Sequence, residues 1–318
     1  ISSSITLPRI NEKLGKKLFS LARMAQFGSR ALGEMRIGLL LERQILRQKP
    51  RVILHTFEGH GWERIVNVVA HNTLPPVKTF GYQHAVLLPG DKSINYHHGG
   101  GADPDYFLAS GKLTKELFLE SAQFPRPAAL VLGSVKTSMS SKQSLSTTDG
   151  VCLFAPEGVL EEVYLMTQVA IEAATLRQDR KFVLRLHPVL DRSRVEKQLG
   201  LIPKNFSLSE CSLQDDLDAA SFVCYRSSTV VFSGIQAGVR PIFLDVDKQM
   251  SVNDPLPPDL SFRKVANNAK ELVEIISEML KPELEAHEYK KALRYVEGYA
   301  SAFDANELIE NLNEILIV

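Results

Sequence analysis

Lys181-Phe182-Val183-Leu184-Arg185-Leu186-His187-Pro188 and Ser221-Phe222-Val223-Cys224-Tyr225-Arg226-Ser227-Ser228-Thr229 are two apolar runs that each stop abruptly in polar groups. A short apolar run bounded by such punctuation reads as a buried strand. Pro188 has no N–H to offer a ladder, so the first strand ends at His187. Strands buried on both faces belong to parallel sheets covered by helices. In open sheets of that kind ligands sit outside the carboxyl ends of the strands, and there both runs deliver their histidine, arginines and hydroxyls.

The surrounding chain repeats the pattern. After Gly150 the sequence predicts strands over 151–155, 182–186, 222–225 and 241–244. Helices fall over 160–176, 193–199, 213–219 and 229–237, and again from about 270 onward. Upstream, strands are expected over 51–57, 77–81, 105–109 and 128–132, with helices over 62–71 and 113–121 and a polar loop over 82–103. Alternation of this sort specifies parallel sheets with crossover helices. Residues 134–149 are rich in Ser, Thr and Lys and read as a linker. The expected architecture is therefore α/β with two Rossmann-like domains, over 1–140 and 150–318, and a cleft between them. The first half is short of strands before Arg51, so its domain is expected to be incomplete.

Residues 8–48 form a basic helical stretch carrying Lys13, Lys16, Lys17, Arg23, Arg30, Arg36, Arg43 and Arg47 among apolar positions. It reads as a helix packed on the sheet; the second reading is an amphipathic surface for peripheral association with a membrane or a lipid-linked acceptor. Lys+Arg and Asp+Glu both total 37, so no global basic field draws in nucleic acid. Three cysteines without ligand spacing, Cys152, Cys211 and Cys224, fit reduced thiols in a cytoplasmic setting. No run approaches the ~20 apolar residues of a membrane span.

Several residues can carry chemistry. His187 at a strand end can hydrogen-bond or protonate a leaving phosphate, with Arg185 adding charge. Arg226, Ser227, Ser228 and Thr229 precede a helix, where hydroxyls either cap the helix or help hold an anion. Glu157-Gly158 follows the first strand of the second half, either as a ligand-approaching turn or as an acidic helix start. In the first half, Glu58 ends a strand in Thr56-Phe57-Glu58-Gly59-His60-Gly61-Trp62-Glu63, placed as a general base, with helix capping by Glu58 or Glu63 as the alternative, and His84 ends the next strand beside it. The His97-His98 pair lacks partners for a zinc site, and no G-x-S-x-G elbow marks a hydrolase. No metal site is expected.

Glu58-Gly59, His187-Pro188 and Ser227-Ser228, in that order, resemble the motif set of bacterial GT-B transferases that use CMP-activated nonulosonic acids: sialyl-, polysialyl- and β-Kdo-transferases. That pattern opens with two acidic residues, and here the first is replaced by Phe57. The stretches around Trp62, Gly81-Tyr82-Gln83-His84 and Pro104-Asp105-Tyr106 look like a surface-carbohydrate biosynthesis family of the same fold. The resemblance implies transfer of an acidic sugar, Kdo or sialic-acid-like, from a CMP donor to a capsule or lipopolysaccharide O-antigen glycan. Glu58 would act on the acceptor hydroxyl, while His187, Ser227 and Ser228 would hold the CMP phosphate. No cofactor beyond the donor is implied, and the expected setting is cytoplasmic, with the inner face of the cytoplasmic membrane as the second reading. Two rivals stand beside it: a GT-B transferase using a UDP-sugar or CDP-glycerol, and a catalytically inactive GT-B scaffold or glycan-binding module, which the Phe57 departure favours.

Overall fold

A computed structural model describes residues 29–85, 87, 93–95, 101–120, 128–135, 145, 150–246, 252–278 and 282–317. The first series is α1 (Ser29–Gln48), β1 (Val52–Thr56), α2 (Gly61–Asn72), β2 (Lys78–Tyr82), β3 (Tyr106–Ala109), α3 (Lys112–Glu120) and β4 (Ala128–Val131). The second begins with β5 (Val151–Phe154), α4 (Leu160–Leu176), β6 (Phe182–Leu184), α5 (Arg192–Glu196), β7 (Phe206–Leu208) and α6 (Leu213–Ala219). It continues with β8 (Ala220–Tyr225), α7 (Val230–Gln236), β9 (Arg240–Leu244), β10 (Lys264–Ala266) and α8 (Ala269–Glu278). Two helices end the chain, α9 (Pro282–Tyr299) and α10 (Asn306–Ile317).

All described strand pairs are parallel, and they form two sheets, β1-β2-β3-β4 and β10-β9-β8-β5-β6-β7. The order of the second sheet reverses between β5 and β8, because β6 and β7 are added on one side and β9 and β10 on the other. Period-two alternation sorts its side chains. Cys152, Phe154, Phe182, Leu184 and Phe222 pack with Met166 and Ala170 of α4 and Leu272 of α8. Leu153, Val223 and Tyr225 pack on the opposite face with Leu217, Ile235 and Val296. Each fully buried Phe or Leu contributes roughly 1.5–3 kcal/mol, which makes this sheet the rigid platform for the residues at its ends.

The expected strands and crossover helices are present, and the structure adds β7 and β10. Residues near 300–317, read from the sequence as part of the second domain, return to the first sheet. Ser134 N–H bonds to Ser301 O (2.9 Å), Asp304 N–H to Leu132 O (2.9 Å), and Leu308 and Leu312 of α10 pack on Phe80 and Leu108. The apolar stripe of α10 finds its cover there, where the sheet face would otherwise be bare. α1, read from the sequence as packed on the sheet, packs chiefly on α2 through buried Gly38 and Ile45 and leaves Met35, Leu39, Leu40 and Leu46 exposed beside Arg36, Arg43 and Arg47. Lys13, Lys16, Lys17, Arg23, the His97-His98 run and most of the expected linker lie outside the described residues. Among the described residues no helix is long and apolar enough to cross a membrane.

Candidate active site

Glu58 sits just past β1, on a loop whose path is set by α2. Glu63, fully buried in the first turn of α2, accepts the Glu58 N–H (2.7 Å) and the His60 N–H (2.9 Å) on one carboxylate oxygen and the Thr56 hydroxyl (3.2 Å) on the other. The loop then turns through Gly59, at φ +84°. These bonds turn the Glu58 carboxylate between two imidazoles. Oε1 meets His84 Nδ1 at 3.0 Å and accepts the Ala85 N–H at 3.1 Å, while Oε2 lies 3.3 Å from His60 Nε2. The Ser93 hydroxyl donates to the Glu58 carbonyl (2.8 Å), and Arg64 ties this segment down by donating to Ser93 O (2.7 Å) and Asp103 (2.6 Å). A cavity of about 120 Å³ opens beside the cluster, lined by Glu58, His60, Gln83, Ala85, Leu87, Ser93 and Ile94. Phe57, at the position where the resemblance calls for an acid, points into the core and is 1% exposed.

The second group gathers at the carboxyl ends of β5, β6 and β8, where the strand order reverses. Past β5 come Glu157 and Gly158, past β6 the exposed His187, and past β8 Ser227 and Ser228. His187 Nδ1 accepts the Val189 N–H (3.2 Å), so in the neutral ring the proton sits on Nε2 and makes that nitrogen the donor. Ser227 Oγ accepts the Asn253 N–H (3.4 Å) and Ser228 Oγ the Val230 N–H (3.5 Å). Thr229 is exposed at the start of α7 and caps nothing with its side chain.

The two arginines differ from the sequence expectation of phosphate binding. Arg226 is fully buried, donates to Leu244 O (3.1 Å) and places its charge near Glu162 under the loop. A guanidinium taken out of solvent in this way supports the strand ends instead of meeting a ligand. Arg185 turns to Asp216 (2.7 Å) and Cys211 O (2.8 Å), because a nearly buried carboxylate on α6 attracts it more strongly than open solvent does. Glu162 itself is 4% exposed and accepts the Glu157 N–H (3.0 Å). Burial pushes its carboxyl above the ordinary range, against the pull of that N–H and of the Arg226 charge.

Sequence reasoning brought Glu58 to His84 and placed His187 with Ser227, Ser228 and Gly158. It missed His60 as the second imidazole on Glu58 and Glu162 as the carboxylate beneath the second loop; Glu63, a capping candidate in the sequence, caps α2 through the His60 N–H and also holds the Glu58 N–H. The signal was present: Glu-Gly followed by Glu at the same offset recurs as 58-59-63 and 157-158-162.

No family model matches the chain, and no curated protein matches it. Solved structures do. The glycotransferase of kitacinnamycin aligns with a TM-score of 0.60 at 14% identity, over 97% of this chain and 85% of that one. The fold is that of the GT-B glycosyltransferases. The calicheamicin glycosyltransferase CalG4 aligns at 0.56 and 10% identity, over 98% and 83%. An S. aureus MnaA–UDP complex aligns at 0.58 and 15%, over 89% and 79%. In the GT-B frame the Glu58 cluster belongs to the first sheet and the His187 cluster to the second.

Proposed function

We propose that the chain is a glycosyltransferase that takes a sugar from a nucleotide donor held on the second sheet and passes it to a glycan acceptor addressed from the first. The observation that carries this reading is the gathering of His187, Ser227, Ser228 and the Glu157–Gly158 turn at the strand-order reversal, the place where open α/β sheets bind ligands. The acceptor oxygen bonds to the anomeric carbon as its proton passes to the Glu58 carboxylate. The bond from that carbon to the donor phosphate breaks, and its electron pair leaves on the phosphate oxygen. The His187 Nε2–H and the Ser227 and Ser228 hydroxyls stabilise the charge that develops there. His60 and His84 hold Glu58 in place and offer its proton a way out.

For the donor we infer a CMP-activated acidic sugar, on the ordered motifs Glu58-Gly59, His187-Pro188 and Ser227-Ser228. A UDP-sugar is the second reading, favoured by the MnaA complex with UDP. An inactive scaffold is disfavoured by exposure: Glu58 keeps a quarter of its side chain in solvent and His187 is open. The apolar and arginine-bearing outer surface of α1 supports acceptor delivery from a membrane surface.

The test is thermal protection by CMP, UDP and CDP, followed by CMP release from CMP-Kdo and CMP-sialic acid with glycan acceptors. CMP is expected to protect the wild type, and His187→Ala is expected to lose that protection while melting normally on its own. Protection by UDP alone would transfer the assignment to the UDP reading. Full protection of H187A, or none of the wild type by any nucleotide, would overturn the donor site.

A further inference from the structure

The two site loops are built alike, and the likeness extends beyond their Glu-Gly pairs. Each follows the first strand of a βαβ unit, and in each the following helix supplies a buried glutamate five residues beyond the loop glutamate. Glu63 Oε2 receives the Glu58 N–H at 2.7 Å, and Glu162 Oε1 receives the Glu157 N–H at 3.0 Å. In each, a histidine lies just past the end of the neighbouring parallel strand, level by count with the loop glutamate. Thr56 pairs with Tyr82 and Phe154 with Leu184, so Glu58 stands level with His84, two residues on, and Glu157 level with His187, three residues on. The first copy brings its histidine onto the carboxylate itself (3.0 Å). The second brings its histidine against the loop backbone: a Cβ on Gly158 would lie 3.3 Å from His187 Nδ1 and 2.6 Å from a Val189 methyl.

We propose that the chain carries one carboxylate–histidine βαβ unit twice, and that Glu162 is the positioning residue of the second copy, fixing the Glu157–Gly158 loop on which the His187 ring rests. Glu162 touches no substrate; it acts through the loop it holds. Its carboxylate is 4% exposed, and the buried Arg226 supplies the compensating charge. A carboxylate placed there is costly unless it is hydrogen-bonded and paired. The bond it makes is to the Glu157 backbone N–H within the turn.

The proposal rests on the donor reading only where nucleotide affinity is measured, and the experiment separates the two. Nitrogen-15 NMR follows the His187 and His84 imidazoles through a pH titration in wild type, Glu162→Ala, Glu162→Asp, Glu162→Gln and Glu63→Ala, beside nucleotide affinity by calorimetry. E162A and E162D, which lose or shorten the acceptor, are expected to move the His187 midpoint and leave His84 in place. E162Q, which keeps an oxygen for the Glu157 N–H, is expected to restore the wild-type value. E63A is expected to do the reverse, moving His84 alone. Nucleotide affinity is expected to fall about tenfold in E162A, the scale of one charge-assisted hydrogen bond, and to recover in E162Q. An unmoved His187 in both E162A and E162D overturns the proposal; E162D answers alone if E162A does not fold. A moved His187 in a protein that binds no nucleotide leaves the positioning role standing and removes the donor reading.

Discussion

Gly59→Ala strikes the Glu58 loop at its least forgiving point. Gly59 lies in the left-handed region at φ +84°, and a Cβ there would come within 2.5 Å of the Ser93 carbonyl carbon and 2.6 Å of the Ile94 nitrogen. Left-handed backbone costs a residue bearing a Cβ about 1–2 kcal/mol, and forcing atoms into a filled site costs about 1–3 kcal/mol more. The clash is with backbone, which cannot rotate aside. That backbone is also pinned, since Arg64 holds Ser93 O and Ser93 holds the Glu58 carbonyl. A total loss of roughly 2–5 kcal/mol, at about 2–4 °C per kcal/mol for a domain of this size, puts the melting temperature lower by about 10 °C. Gly158→Ala is the internal control. Its nearest clash is with the tip of the Val189 side chain, which is 70% exposed and free to turn, so its loss falls within the ~0.5 kcal/mol typical of surface changes. Differential scanning calorimetry on both variants, with the His84 titration as a local reporter, decides the matter. Equal melting of the two variants, or wild-type melting of G59A, would refute the reasoning.

Asp105 accepts the Thr79 N–H (2.9 Å), the Lys78 ammonium (3.0 Å) and a His71 nitrogen (2.9 Å). Burial pushes its carboxyl up, but these three together pull it below its ordinary value. A depressed carboxyl contributes stability that is present above the unfolded value and lost as pH falls through the folded one. Stability is therefore expected to fall more steeply in the wild type than in Asp105→Asn below about pH 4, and parallel acid denaturation curves would contradict this. Arg185→Ala breaks the pair with Asp216 and leaves that nearly buried carboxylate, which also accepts the Ser209 hydroxyl, without its cation. With Arg185 itself about a quarter exposed, the loss is expected at roughly 1–3 kcal/mol after solvent screening, with nucleotide protection unchanged; lost protection would return Arg185 to the donor site.

The alternation of strands and helices was legible because buried parallel strands and amphipathic helices leave different periods in the sequence. Phe206-Ser207-Leu208 and Lys264-Val265-Ala266 escaped because three residues at a sheet edge hold no period. The return of α10 to the first sheet escaped for another reason. Its apolar stripe shows that something covers it, but Leu308 and Leu312 do not say which sheet does. Within the site, Glu58, His84 and His187 were legible as polar groups at strand ends, a property of local order. The fates of Arg185 and Arg226 were not, because they depend on carboxylates distant in sequence, Asp216 and Glu162.

On the proposed donor reading, those two arginines leave the second sheet to hold an anion with few charges at its surface. Had Arg226 reached the strand ends, the site would carry a full positive charge with or without a donor. Instead Arg226 lies beneath the loop, its charge set against Glu162, and Arg185 is turned to Asp216. What faces outward is the His187 imidazole with its proton on Nε2, while the uncharged Ser227 and Ser228 hydroxyls lie nearly buried at the neighbouring strand end. Such donors gain most from charge that builds on a phosphate as its bond to the sugar breaks, and less from the resting donor, which is the differential that speeds a transfer. On that reading the buried arginine, at first sight a candidate ligand lost to the core, keeps that differential by lying beneath the loop.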